Sequence, residues 1–427
     1  MRVLFVANPE KAHLLAMVPL AWALRTAGHE VRVASQPAFA ETITQAGLTA
    51  VPVGRDADLW QLLARDHRIP DWTWEPAYGL PTPYDVVDAP DRGTWPHLAD
   101  GYAEILHSWH RPGSLPMIAG LVEFARSWRP DLVIWEPLAY AGPIAAKACG
   151  AAHARLPWSL DVFGVARERF LRLMERQPPG DRHDALADWL GSYARKYDFA
   201  FSEDMTTGHF TIDQLPASLG VRADLPYVPM RFVPYGGPAT VPKWLWTPPA
   251  RPRVALTMGL SLTDHKAGYA VSVQDVLDAL AGLDVELVAT VPESERHRLN
   301  RIPDNARLVP YAPLHALAPT CSAIISHAGF GTFLTTALHG VPQLALPWDF
   351  DGPAFARMAE AQGATLVIRA DQATGPAIRE SVLRLLDEPA PRDRARDLRD
   401  EMHAMPTPNQ LVPHLEELTA KHRTTSR

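Results

Sequence analysis

The sequence predicts an α/β chain made of two doubly wound, Rossmann-like halves. Three observations carry that reading. Short apolar runs alternate with stretches whose apolar residues recur at helical spacing, the pattern of parallel strands joined by helices. The alternation stops at a Pro- and Gly-rich stretch, residues 234–252, and restarts beyond it. The length, 427 residues, is too great for one ordinary core and suits two.

In chain order, "RVLFVA" reads as a buried strand. "HLLAMVPLAWALRTAG" follows as a helix stopped by Gly28, then "HEVRVAS" as a strand, "PAFAETITQAG" as a helix stopped by Gly47, and "LTAVPVG" as a strand. Residues 55–116 break the rhythm with Trp60, Trp72, Trp74, Trp95 and Trp109 among many Pro and Asp residues. It resumes with a helix in "MIAGLVEFARSW", a strand in "DLVIWE", a helix in "GPIAAKACG" and a strand in "AAHARLPW". Residues 162–200 read as helical with a break at "PPGD". Beyond the linker, "RVALTMG", "VELVATV", "ARLVPYAP", "CSAIIS" and "VPQLALPW" read as strands. "VSVQDVLDALAGL", "GTFLTTALHG" and "PAFARMAEAQG" read as helices, and "NQLVPHLEELTAKHR" as a terminal helix. The expected domains are 1–233, with 55–116 as an aromatic-rich insertion, and 253–405, followed by a helix and tail over 406–427.

Composition narrows the function. Apolar residues at 47% against 21% charged describe a globular chain, and a net charge of -7 argues against a nucleic-acid partner. No apolar run approaches the length of a membrane span, and the N-terminus lacks the pattern of a secretory signal, so a cytoplasmic location is expected. The two cysteines, Cys149 and Cys321, read as buried thiols of a reducing compartment. No histidine pair has zinc-ligand spacing, and the D-x-D of Asp349 and Asp351 is a three-letter pattern that recurs at Asp56 and Asp58; no metal is expected.

In doubly wound sheets ligands bind beyond the carboxyl ends of the strands. The first such turn, "ANPEKAH", has no glycine, which excludes a dinucleotide fingerprint there, and presents His13 at a helix start. In the second half, "CSAIIS" leads into His327, Gly329, Gly331 and Thr332 at another helix start. Free amides at a helix N-terminus, unobstructed by side chains at the glycines, form an anion site. His327 and the Thr332 hydroxyl add donors, giving a cradle for a diphosphate. One helix later a second loop, "PWDFDGP", presents Asp351.

This order (His327-x-Gly329-x-Gly331-Thr332, then "GVPQ", then a Pro loop ending in Asp351) resembles the donor signature of glycosyltransferase family one. The resemblance covers nearly the whole chain and implies the GT-B fold: two Rossmann-like domains facing across a cleft, a terminal helix crossing back to the first, and no required metal. "HLLAMVPLAWALRTAGHEVRVAS", "RPDLVIWEPL" and "IPDNAR" are similar to the activator-dependent desosaminyltransferases and their aminodeoxysugar-transferring kin in macrolide and anthracycline pathways. By that resemblance His13 deprotonates the acceptor. Glu136 stands where many relatives place the aspartate that orients this histidine, with Asp161 in reserve. His327 and residues 329–332 hold the diphosphate, Gly259 and Ser261 lie near it, Tyr311 stacks on the base, and Asp351 meets sugar hydroxyls.

Two departures from the family pattern point to the donor. Gly352 replaces the glutamine of many hexose users, and Thr335 stands near where uridine-diphosphate users carry a glutamate for the ribose. Both suit a dTDP-deoxysugar as co-substrate, with no separate cofactor. The expected activity is inverting transfer of that deoxysugar to a polyketide hydroxyl in antibiotic biosynthesis. The tryptophans of 55–116 suit an apolar aglycone pocket and equally an ordinary core. The resemblance also implies an activator protein of haem-free cytochrome-monooxygenase fold, in a homodimer or heterotetramer. Nucleotide-sugar epimerases of the same architecture and a non-catalytic sugar-nucleotide-binding subunit are the alternatives. His153, His315 and His339 lie in apolar context and read as core.

Overall fold

The computed structural model of the chain describes residues 1–59, 79–259 and 269–423. Two fully parallel sheets organise it. The first contains β1 (Arg2–Val6), β2 (Glu30–Ser35), β3 (Ala50–Pro52), β4 (Leu132–Trp135), β5 (Ala152–Arg155), β6 (Phe210–Asp213) and β7 (Tyr227–Pro229), in the order β3-β2-β1-β4-β5-β6-β7. The second contains β8 (Arg253–Thr257), β9 (Glu286–Thr290), β10 (Ala306–Val309), β11 (Ala323–Ser326), β12 (Gln343–Ala345) and β13 (Thr365–Val367), in the order β10-β9-β8-β11-β12-β13. Each order reverses once, between β1 and β4 and between β8 and β11, and those reversals open the crevices where such sheets bind ligands.

The central strands show why the chain folds this way. Val3, Leu4, Phe5 and Val6 of β1 are all fully buried, because helices cover both faces of a parallel sheet and no alternation with polar residues survives. The helix Lys11–Thr26 packs Leu14, Met17, Val18, Leu20 and Leu24 against one face and ends where Gly28 turns left-handed. The terminal helix Pro408–His422 begins with a capping box between Thr407 and Gln410. It inserts Leu411, Val412 and Leu415 into the same core as β1, so the chain crosses back from the second sheet to the first. Among the described residues no helix is long and apolar enough to cross a membrane.

The structure changes two sequence expectations. The helix expected from residue 117 is the last part of a nearly continuous helical stretch: Trp95–Ile105, a π-helical turn Leu106–His110, and Arg111–Trp128. Pro112 and Pro116 mask it in the sequence, but Pro112 falls in the first turn of its helix, where no amide is needed, and the wider π turn before it accommodates the ring. The strands β6, β7 and β13 and the helices Gly375–Asp387 and Pro389–Ala404 are additions to the sequence reading. The three strands are only three or four residues long, too short for a period to show.

The second sheet leans on the first through the loop that follows β12. The Gly79 amide donates to the Trp348 carbonyl at 3.1 Å, and Arg357 pairs with Asp88 at 2.6 Å. Phe350 projects among Trp109, Trp158 and Phe163, with ring centroids 5.8, 5.7 and 6.4 Å away.

Candidate functional site

Between the sheets lies a cavity of 1230 Å³, lined by the loops that leave β1, β2, β8, β10, β11 and β12. Both topological reversals face it.

On the first sheet, the loop after β1 carries His13 into the first helical turn, and Glu136 caps the end of the adjacent β4. Glu136 is fully buried behind His13. Its Oε1 accepts from the Asn8 amide at 3.3 Å; its Oε2 accepts from the Leu138 amide at 2.9 Å and the Trp158 indole at 3.2 Å. His13 Nδ1 lies 3.5 Å from the same Oε2, within ion-pair range but not aligned as a hydrogen bond. The imidazole lies flat on Trp158, centroids 4.2 Å apart and planes 7° from parallel.

On the second sheet, Ala328 takes a left-handed turn (φ 64°), and Gly329 caps the helix Phe330–Leu338. The residues of its first turn, Phe330, Gly331 and Thr332, line the cavity, and the amides of a first helical turn have no partner within the helix. His327 is wedged between two glycines. A Cβ on Gly259 would lie 2.5 Å from its Cε1, and one on Gly329 would lie 2.3 Å from its Nε2. A Cβ on Gly331 would meet nothing within 4 Å. The bare backbone expected for an anion is therefore found at Gly331, while Gly259 and Gly329 are small to admit the imidazole. Burial pushes the His327 ring down to about 4, so it is neutral at pH 7, and its Nδ1 has no partner.

The loop after β12 brings Asp351 to the cavity. Burial, helped by the charge of Asp349, raises its carboxyl to about 6 against the pull of the Ser159 hydroxyl, and its Oδ2 has no partner. Gly352 starts the next helix, Gly352–Gln362, and a Cβ there would make ordinary contact with the His327 carbonyl at 3.7 Å. Tyr311, half exposed, lines the wall after β10. Thr335 is buried and donates to the Gly331 carbonyl at 2.6 Å.

Family models for the N-terminal and C-terminal domains of erythromycin biosynthesis protein CIII-like proteins match residues 22–259 and 274–418. The chain is 45% identical over 424 residues to a 10-deoxymethynolide desosaminyltransferase of Streptomyces venezuelae, covering 99% of this chain and 98% of that one. It is 43% identical over 434 residues to an aklavinone 7-beta-L-rhodosaminyltransferase of Streptomyces galilaeus, covering 99% and 97%. The crystal structure of glycosyltransferase VinC in complex with dTDP superposes with a TM-score of 0.87 at 38% identity, covering 99% of this chain and 100% of that one.

The chain belongs to the erythromycin biosynthesis protein CIII-like glycosyltransferases.

It is a glycosyltransferase of GT-B fold, in agreement with the sequence signature. Of the residues singled out in this transferase, His13, Tyr311, His327, Gly329, Gly331, Thr332 and Asp351 line one cavity, and Glu136 stands directly behind His13. Ser261 lies outside the described residues, as do Trp60, Trp72 and Trp74. Of the other tryptophans of 55–116, Trp109 lines the cavity, whereas Trp95 packs on Phe170 as core.

The reserve base, Asp161, is overturned. It is buried, ion-paired with Arg155 at 2.5 Å, bonded by the Tyr227 hydroxyl at 2.7 Å, and caps a helix through the Gly164 amide. It supports the β5 end and does not line the cavity. His153 and His339 are buried or partly so, but His315, read as core, is exposed on the cavity wall, because it sits on the outer side of the single turn Leu314–Leu317. Cys149 and Cys321 are free and only partly buried. Sequence reasoning misses Trp158 and Phe350 altogether. Each is one aromatic in a loop, and only the fold shows that they meet.

Among the described residues one group has potential metal ligands in reach of one another: His153, Asp204 and His209. It lies away from the cavity. Asp204 Oδ2 already takes His153 Nε2 at 2.9 Å and Lys147 Nζ at 2.7 Å, and His209 Nδ1 accepts the His153 amide at 3.1 Å, so an ammonium and ring contacts occupy these ligand atoms.

Proposed function

We propose that the chain transfers an aminodeoxysugar from a dTDP donor to a hydroxyl of a macrolide or anthracycline-type aglycone, with inversion at the anomeric carbon. One observation carries this reading: an imidazole backed by a buried carboxylate faces, across a single cavity, a helix N-terminus with open amides. His13 Nε2 accepts the acceptor's hydroxyl proton as that oxygen bonds to the anomeric carbon. The bond from that carbon to the diphosphate oxygen breaks, and the electron pair leaves with dTDP. Glu136 stabilises the imidazolium that forms. The amides of the Phe330 turn, with Thr332 and His327, stabilise the charge growing on the leaving diphosphate. Asp351 accepts hydrogen bonds from the sugar, and Tyr311 covers the base.

The sugar class is supported by the relatives, named for desosaminyl and rhodosaminyl transfer, and by the absence of a carboxylate at Thr335. The same relatives favour transfer over epimerisation and over a non-catalytic role. Resemblance to the desosaminyltransferases supports one further element, a haem-free activator of cytochrome-monooxygenase fold docking on the first domain. Turnover equal with and without the pathway's own activator would remove it. The function itself is tested with dTDP-aminodeoxysugars and UDP-hexoses against macrolactone and anthracyclinone acceptors, with products read by mass spectrometry. Thermal stabilisation by dTDP and not UDP is expected; products from UDP-hexoses alone would refute the donor assignment.

A further inference from the structure

We infer that Trp158 is the positioning residue that fixes the plane and tautomer of the His13 imidazole, and that Phe350 of the opposite domain holds Trp158 in that pose. This role presupposes His13 as the base proposed above. Four observations lead to it.

First, the carboxylate does not orient the ring by itself. A group that fixes a catalytic imidazole ordinarily does so through an aligned hydrogen bond of about 2.6–3.2 Å. In this chain the His13 Nδ1 to Glu136 Oε2 distance is 3.5 Å and Nδ1 has no aligned partner. Second, the ring plane is set by the indole, since the two lie parallel within 7° at 4.2 Å. Third, the Trp158 indole N–H, a donor only, is donated at 3.2 Å to the same Oε2 that faces Nδ1. One side chain thus holds the face of the base and the oxygen that reads its tautomer. Fourth, Trp158 is itself packed against Phe350, 5.7 Å away and belonging to the loop that also presents Asp351. Phe350 reaches it from a left-handed backbone (φ 46°). The first domain's base is therefore ordered by a contact that exists only when the second domain's sugar loop is in place. The same indole face also stabilises the imidazolium that proton transfer creates.

Steady-state kinetics on the best donor–aglycone pair of the panel above test this, with dTDP binding by calorimetry as the control for an intact second domain. Trp158→Leu is expected to lower kcat about 30–100-fold, part of the 10²–10⁴ that a general base contributes, with both KM values within about twofold. Trp158→Phe keeps the stack and loses the N–H, so it recovers part of that loss, to within about tenfold of wild type. Phe350→Leu lowers kcat about 3–10-fold, and adding it to Trp158→Leu costs nothing more, because both act through one contact. If Trp158→Leu does not fold, the Trp158→Phe and Phe350→Leu arms decide. The inference is overturned if Trp158→Leu or Trp158→Phe raises acceptor KM with kcat intact, which would make Trp158 a pocket wall only. It is also overturned if Phe350→Leu leaves kcat unchanged or multiplies fully with Trp158→Leu. The outcomes separate from failure of the base assignment: His13→Ala with near wild-type turnover removes the base, whereas an inactive His13→Ala beside a fully active Trp158→Leu removes only the positioning role of Trp158.

Discussion

Replacing Asp351 by asparagine should stabilise the free protein while damaging it as an enzyme. The carboxyl sits against Ser159 and near Asp349, is raised to about 6 chiefly by burial, and has an oxygen with no partner. The unfolded chain releases this proton near the ordinary 3.8, the native chain only near 6. The native state therefore binds more protons across that window. The stability contributed by the protonated acid is complete below about pH 4 and is lost as pH rises through about 6. At about 1.4 kcal/mol per pKa unit, the ionised group costs the native state up to about 3 kcal/mol above pH 7, less for the solvent it still touches. Asparagine has the same shape and no charge to desolvate. A gain of about 2 kcal/mol corresponds to about 4–8 °C in a domain of this size. Calorimetric unfolding of both proteins without ligand at pH 5 and pH 8 measures it: a higher Tm for Asp351→Asn at pH 8, and about half that gain at pH 5, which lies midway through the window. A gain equal at both pH values, or none at pH 8, refutes the reasoning. In the same variant the donor KM should rise about 10–100-fold, the loss of a hydrogen bond to a charged acceptor.

Three further outcomes follow from the other side chains. Gly329→Ala should displace the His327 ring and weaken dTDP binding at least tenfold, with Gly259→Ala behaving alike because its Cβ would strike the same ring, from a backbone of positive φ besides; isothermal titration reads both. Because His327 is neutral at pH 7 and held near 4, a diphosphate beside it should draw a proton onto the ring, so dTDP binding takes up protons and tightens as pH falls from 8 to 6; titrations in buffers of different ionisation enthalpy detect the uptake, and His327→Gln abolishes it. Glu136→Gln should lower kcat about 10²-fold or more with donor KM unchanged, since a buried amide cannot stabilise the imidazolium; a rise in KM alone would make Glu136 a scaffold for Asn8 and Leu138.

What the sequence made legible is local. Long helices with apolar residues at helical spacing, and strands buried on both faces, announce themselves through period and run length, and from β1 to β12 they fall where the pattern puts them, short β6 and β7 and the proline-masked helical stretch from Trp95 excepted. Turn chemistry is legible too: the strand-to-helix turns at His13 and His327 both face the cavity. What the sequence hides is contact between distant residues. It suggests that Gly329 bares a backbone for phosphate, yet the neighbour that needs the space is His327, a fact about where a ring folds back. Asp161 looks like a spare base until Arg155 and Tyr227 close on it from β5 and β7. His315 looks like core because its neighbours in sequence are apolar, and a one-turn helix shows no period to correct the impression.

The distribution of local misfits points to the same place. Among the described residues, four other than glycine adopt positive φ. Arg129 and Asp198 do so as left-handed caps that end helices, where the geometry satisfies orphan carbonyls. Ala328 and Phe350 end no helix. They lie in the two loops that face the cavity from the second sheet, each at a cost of about 1–2 kcal/mol. Each stands beside a titratable group that the fold leaves without a full set of partners: the desolvated His327 next to Ala328, and the raised Asp351 next to Phe350. A folding optimum would relax all four, and substitutions such as Asp351→Asn would do so cheaply. Side by side, in loops otherwise anchored by well-packed strands, they form the pattern of a site organised for binding rather than for stability. On the function proposed above, a diphosphate would complete His327 and sugar hydroxyls would complete Asp351, while the left-handed turn at Phe350 carries that loop's aromatic across to Trp158 and His13.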